Sequence, residues 1–194
     1  MMSETPSLLV THLENRLGRI KAGWTRDLRG KELPFQVAEF SGGGQLEGST
    51  SYATVGLSEH KLAVPGREKS VWLELLMTTH SALAPARFPQ VVQSVASALL
   101  AKHEAVSRGE VLSLPGTVAD GSSMSSVYAC IPGYFDEEFD SITNEKGVGI
   151  AIVWLVPVAE SEVQYVDSHG WDAFEARLRE HDPDLLDPFR AEIC

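Results

Sequence analysis

Residues Tyr52–Leu62 read YATVGLSEHKL, an alternating segment that runs straight into a serine, an acid and a histidine. As a strand, it sets Tyr52, Thr54 and Gly56 on one face and Ala53, Val55 and Leu57 on the other. As chemistry, Ser58, Glu59 and His60 are the three residue types of hydrolytic catalysis. Their spacing decides the matter: adjacent side chains of an extended segment point to opposite faces, so Glu59 would not orient His60 toward Ser58. Catalytic triads are assembled around a strained nucleophile turn, and the chain has no Gly-x-Ser-x-Gly elbow. The stretch therefore predicts a strand ended by a turn. Gly56 allows tight backbone passage there, and the Ser58 hydroxyl bonds nearby amides.

Working outward, PFQVAEF (Pro34–Phe40) alternates with period two, and the glycine run SGGGQLEGS separates it from TSYATVGL. A phosphate loop would need a Lys-Ser/Thr pair entering a helix, and a dinucleotide fold would need these glycines between strand and helix. Neither context is present, so the run reads as a hairpin connection. SVWLELLMTT (Ser70–Thr79) is a third alternating strand. From Phe88 the period changes, with Val91, Val92, Val95, Leu99 and Leu100 at helical intervals and Pro89 tolerated in the first turn. EVLSLPG and SSVYACIPG read as short strands around the turn ADGSS, and GIAIVWLVPV (Gly149–Val158) as a central strand, apolar on both parities. Two helices follow, ESEVQYVDSHG ending at Gly170 and WDAFEARLREH stopped by DPDLLDP.

At the N-terminus, Leu9, Leu13, Leu17 and Ile20 recur at helical spacing, with Ser3 or Thr5 and Pro6 as start signals. Arg16, Arg19, Lys21, Arg26 and Arg29 follow as a solvated basic face. The order predicts an α+β fold, a mixed and largely antiparallel sheet covered by helices. Residues 1–33 form the N-terminal helix and a connection, 34–190 the main domain, and the two make one compact unit.

The 194 residues, 43% hydrophobic and 22% charged, suit a single globular domain. No apolar run reaches membrane-spanning length, and no basic-then-apolar leader opens the chain, so a cytoplasmic protein is expected. The net charge of −11 is uneven: residues 1–97 carry 10 Lys+Arg against 9 Asp+Glu, and residues 98–194 carry 6 against 18. The halves are thus +1 and −12. Such a field repels nucleic acid and favours a basic partner. Cys130 and Cys194 read as free thiols, and the six scattered histidines show no pair at metal-ligand spacing. No cofactor is called for.

The densest polar-aromatic cluster is GYFDEEFD, which sets Tyr134, Phe135 and Phe139 among Asp136, Glu137, Glu138 and Asp140. Aromatic side chains anchor interfaces and surrounding carboxylates select a basic partner. The competing reading is a solvated loop whose phenylalanines turn inward.

Taken in order, YATVGLSEHKL, WLELLM, RFPQVVQSVASALLA, SRGEVLSLPG and GIAIVWLVPVAESEVQYVDSHG resemble the suppressor-of-fused family over Phe35–Phe189. Gly56-Leu57-Ser58, Glu74-Leu75, and Val156-Pro157-Val158 followed by Glu160 or Glu162 are the most telling pieces. The resemblance implies a non-catalytic protein-binding domain. In eukaryotic members it restrains a transcription factor of Hedgehog signalling, and short bacterial members are associated with polymorphic toxin systems as immunity proteins. A bacterial single-domain member is the nearer comparison, because the chain is too short for the second domain of the eukaryotic clamp. It also implies a ligand-engaging acid after a glycine beyond the covering helix. Gly109-Glu110 stands there, although Val111 departs from the pattern. The expected function is therefore sequestration or inhibition of a protein partner, such as a basic toxin domain, through Glu110 and Tyr134–Asp140. The alternatives are a small hydrolase using dispersed carboxylates and histidines, and a regulatory scaffold without inhibitory activity.

Overall fold

The computed structural model describes residues 7–194. The chain opens with α1 (Leu8–Leu17), which buries Leu9, Leu13 and Leu17 as their spacing predicts. The start signals expected at Ser3, Thr5 and Pro6 lie outside the described residues. Ser7 caps the helix, its Oγ accepting from the Val10 amide at 3.3 Å.

Ile20, expected in the helix, lies in β1 (Gly18–Arg26), and the connection expected up to residue 33 holds the rest of that strand and the start of β2 (Glu32–Gly43). β1 carries no clear period because it is an edge strand, mostly exposed on both parities, whose register against β2 slips three times. Slips and edge cations such as Arg19 and Lys21 keep an open strand from recruiting another chain.

β2 and β3 (Ser49–Val55) form the expected hairpin across the glycine run, with Ala38 opposite Ala53. β4 (Leu62–Ala63) is a two-residue strand, and β5 (Ser70–His80) leads to α2 (Phe88–Lys102). β6 (Val111–Ser113), β7 (Met124–Cys130) and β8 (Ser141–Thr143) precede β9 (Gly149–Ala159). α3 (Glu160–His169) and α4 (Trp171–His181) follow, and the tail runs back across the sheet. The sheet order is β1-β2-β3-β5-β9-β7-β6, with β4 beside β5 and β8 beside β9. Among the strands of the described residues only β5 and β9 pair in parallel, so the sheet is mixed and largely antiparallel, as expected.

Each face of the sheet has its own cover. On one face Val92, Val95 and Leu99 of α2 gather with Val37, Leu73, Leu75 and Leu155. On the other, Leu9, Leu13 and Leu17 of α1 gather with Phe40, Leu76, Trp154 and Phe139. β9 contributes to both, which is why its sequence is apolar on both parities; each such burial is worth about 1.5–3 kcal/mol. Among the described residues no helix is long and apolar enough to cross a membrane.

Two buried carboxylates fasten the segments that the sheet ladder leaves open. Glu74 of β5 accepts from Thr54 Oγ1 at 2.5 Å, Gly56 N at 3.0 Å, Ser58 N at 3.1 Å and Ser58 Oγ at 2.6 Å. Burial pushes its carboxyl above the usual range, and these four donors oppose that. The turn they hold requires a glycine: Gly56 has φ +98°, a left-handed conformation that side chains other than glycine strain to adopt. Glu162, rather than Glu160, closes the other fastening. It accepts from Arg190 Nη1 at 2.7 Å and Nη2 at 2.9 Å, from Ala159 N at 3.0 Å and from Ile193 N at 3.2 Å, pinning the tail to α3.

Candidate functional site

Ser58, Glu59 and His60 do not act on one another. Leu57–Glu59 forms a 3-10 turn in which the Ser58 hydroxyl donates to Glu74, not to nearby amides as expected. The His60 ring meets the Pro34 carbonyl at 3.3 Å, and Glu59 is exposed. The stretch that looked catalytic is the donating half of the Glu74 fastening. Among the described residues no group of three His, Cys, Asp or Glu side chains is placed to hold a metal. Cys130 and Cys194 are free thiols, and burial pushes Cys130 up to about 12, away from nucleophilic chemistry.

The segment Tyr134–Asp140 connects β7 to β8 and lies over the α1 face of the sheet. Its phenylalanines turn inward: Phe139 is fully buried, Phe135 is nearly so, and their rings are 4.7 Å apart. They anchor the loop from inside, as the inward reading has it, which leaves little of either ring for a partner to touch. The His12 ring stacks on Phe139 at 5.4 Å, and its Nε2 meets the Phe139 carbonyl at 3.4 Å. Burial lowers the His12 pKa, the Phe139 bond raises it, and Arg16 lowers it further while Asp136 raises it.

Tyr134 stays 38% exposed, packed 5.1 Å from the Trp154 ring. Its hydroxyl donates to the Pro183 carbonyl at 3.3 Å and accepts from the Leu185 amide at 3.5 Å, so the tail fixes its orientation.

The carboxylates form a ledge above these anchors. Asp136 accepts from the Gln45 side-chain amide and faces Arg16 Nε at 3.4 Å, and together these hold its pKa below the usual range. Arg16 also reaches Glu138, at 3.5 Å. Glu137 is exposed with no hydrogen bond or ion pair among the described residues. Asp140 accepts from Ser141 Oγ at 2.9 Å, and its backbone carbonyl accepts from Ile152 N at 2.8 Å, tying the end of the loop to β9. Arg16 and Gln45 are the residues that sequence reading missed. The cations near the N-terminus were visible as a basic face, but nothing in their spacing pointed to a loop more than 100 residues away.

Glu110 stands apart from this segment. Half-buried, it accepts from the Ser107 amide at 2.6 Å and so closes its own turn. The preceding Gly109 has φ +91°, and a side chain there would run into the Trp171 indole, which seats this turn against α4. Arg108 beside it stacks over Trp171 at 5.0 Å and donates to Glu175 through Nε at 3.0 Å.

Comparison with known proteins places this arrangement. The family model described as Suppressor of fused protein (SUFU) matches residues 31–191. Immunity protein YqcF of Bacillus subtilis (strain 168) is 21% identical over 147 residues, 76% of each chain. A protein described as a suppressor of fused homologue from Neisseria gonorrhoeae FA 1090 superposes with a TM-score of 0.76 at 18% identity, over 96% of this chain and 94% of that one. The Sufu-Fu complex gives 0.67 at 14% identity, covering 91% and 83%. Drosophila Suppressor of Fused gives 0.64 at 13% identity, covering 91% of this chain and 46% of its own.

Proposed function

The chain belongs to the suppressor of fused family, and on that premise we propose that it binds a protein partner and blocks it, as an immunity protein acting in the cytoplasm against a toxin domain with a basic surface. One observation carries the reading: Tyr134, Asp136, Glu137, Glu138 and Asp140 lie on a ledge fixed from below by Phe135 and Phe139 and from the side by Arg16 and Gln45. A loop already held in place loses little conformational entropy on binding, so more of its contact energy appears as affinity. Of its four carboxylates only Asp136 and Glu138 meet Arg16, which leaves a net negative surface in the half of the chain that carries −12. Inhibition needs only that a functional surface be covered, with shape and charge selecting the partner; no catalytic group enters.

The resemblance to an immunity protein and the existence of a relative solved in complex with Fu both support this reading. Glu110 belongs to it as a second contact, and the N-terminal helix with residues 34–190 as the single unit that presents the ledge. Tagged protein would be used to capture partners from native lysate at low and moderate salt, and the captured protein assayed for toxicity with and without this chain. A basic partner, held in a salt-sensitive way and silenced by the chain, is the expected result. A captured toxin that stays active when bound would remove inhibition, and an acidic or salt-indifferent partner would remove the ledge.

A further inference from the structure

The α2 face of the sheet is not covered to its end. At the beginning of the parallel pair β5 and β9, Val71, Ala151 and Val153 remain half-buried, floored by Leu73, in a cleft of about 410 Å³. That volume lies within the roughly 300–1,000 Å³ of ligand sites. The cleft is open to solvent, and Ile131 extends its apolar floor with 48% of its surface exposed.

The rim is basic in a chain of net charge −11: Arg67, Lys69 and Arg108 line the cleft, and Asp140 is its one acid among the described residues. Arg108 is held by Glu175 and Trp171, so its guanidinium is fixed in position. Arg67 and Lys69 are exposed, and among the described residues neither side chain makes a hydrogen bond or an ion pair. Two uncommitted cations over a half-buried apolar floor are complementary to a group that is anionic and apolar at once.

We infer that this cleft binds an acidic–apolar peptide segment of a protein partner, an apolar side chain seated on Val71, Ala151 and Val153 with flanking carboxylates on Arg67 and Lys69. The open shape favours a polypeptide over a free small molecule, which such sites ordinarily enclose more completely. Asp140 belongs both to this rim and to the acidic ledge, so the two surfaces adjoin and together match a partner with a basic patch beside an acidic–apolar segment.

Random peptides displayed on phage, selected on the full chain, test the inference without a known partner. Winning sequences would be synthesised with a fluorescent label and titrated against the native chain and Arg67→Glu/Lys69→Glu, whose exposed positions leave the fold intact by circular dichroism. The expected result is a consensus of apolar residues flanked by Asp or Glu, affinity reduced about tenfold or more by the double variant, and amide NMR shifts at Val71, Ala151 and Val153. A neutral or basic consensus, no enrichment, or binding indifferent to the double variant would overturn it. Dodecanoate shifting the same amides when no peptide does would overturn it too, assigning the cleft to a small amphiphile. The ledge carboxylates are untouched, so failure here leaves the ledge reading standing.

Discussion

Glu74 and Glu162 are carboxylates with no exposure at all, whereas Asp136, Glu137, Glu138 and Asp140 are all exposed within a single short loop. The chemical group is the same in both places, and the donors around it assign opposite tasks. Glu74 collects the amides of Gly56 and Ser58, and Glu162 those of Ala159 and Ile193, backbone groups that the ladder does not pair. Their charge is consumed inside the fold. On the ledge, Arg16 and Gln45 steady Asp136 and Glu138, and the remaining charge faces outward. Carboxylate density in a sequence therefore says little about function until the donors are located.

The contrast breaks most sharply at Arg190. Arg190→Met leaves Glu162 buried with no cation, and urea unfolding should show a loss of about 3–5 kcal/mol. Arg190→Met/Glu162→Met should recover only part of it: replacing a buried pair by apolar side chains is often near neutral, but here the Ala159 and Ile193 amides lose their acceptor. A loss under about 1 kcal/mol in the single variant would mean that water reaches Glu162 and that the tail is not clasped. Next in size is Glu74→Gln, which turns an acceptor into a donor among donors; about 2–3 kcal/mol should be lost. Neither change should alter association with a partner while the chain remains folded.

Much of this was legible because the signals were local. Alternation in 34–40 and 70–79 and the change of period at Phe88 each depend on neighbours within a few residues, and the structure places strands and a helix there. β1, β4 and β8 were not legible: β1 is an exposed edge strand, β4 has two residues, and β8 (Ser-Ile-Thr) has a single apolar residue, whereas the equally short β6 begins Val-Leu and is bounded by Pro115-Gly116. The Glu74 fastening was half visible: Gly56-Leu57-Ser58 and Glu74-Leu75 stood out as separate marks, and only folding showed that one binds the other. In the ledge, the order of aromatics and acids was plain, but which of them face inward depends on α1, more than 100 residues earlier. For this reason the sequence leaves Phe135 and Phe139 between contact and support, and their burial favours support.

On the ledge the effect should be kinetic. Asp136→Asn/Glu137→Gln/Glu138→Gln/Asp140→Asn should slow association with a basic partner about tenfold at low salt and flatten the salt dependence, with the dissociation rate nearly unchanged. Stopped-flow or surface-plasmon rates would show it. Equal association rates at every ionic strength would move the partner surface elsewhere and leave the ledge with the same passive standing as any solvated loop.

The smallest effect lies under the ledge, at His12. This ring is stacked on Phe139, bonded to its carbonyl and placed near both Arg16 and Asp136, and burial keeps its folded-state pKa below the ordinary value. A histidine whose pKa is lowered by folding binds its proton more readily in the unfolded chain, so it contributes nothing above about pH 6.5 and costs stability as pH falls below that. His12→Gln keeps a donor for the Phe139 carbonyl and removes the titration. Between pH 7 and pH 5 the native chain should therefore lose more unfolding free energy than the variant, the other titrating groups being common to both. Parallel slopes would mean that water already reaches the ring and that the loop above it is looser than its buried phenylalanines imply. In that case the rate advantage of a held ledge would go as well, and association would depend on the number of its charges alone.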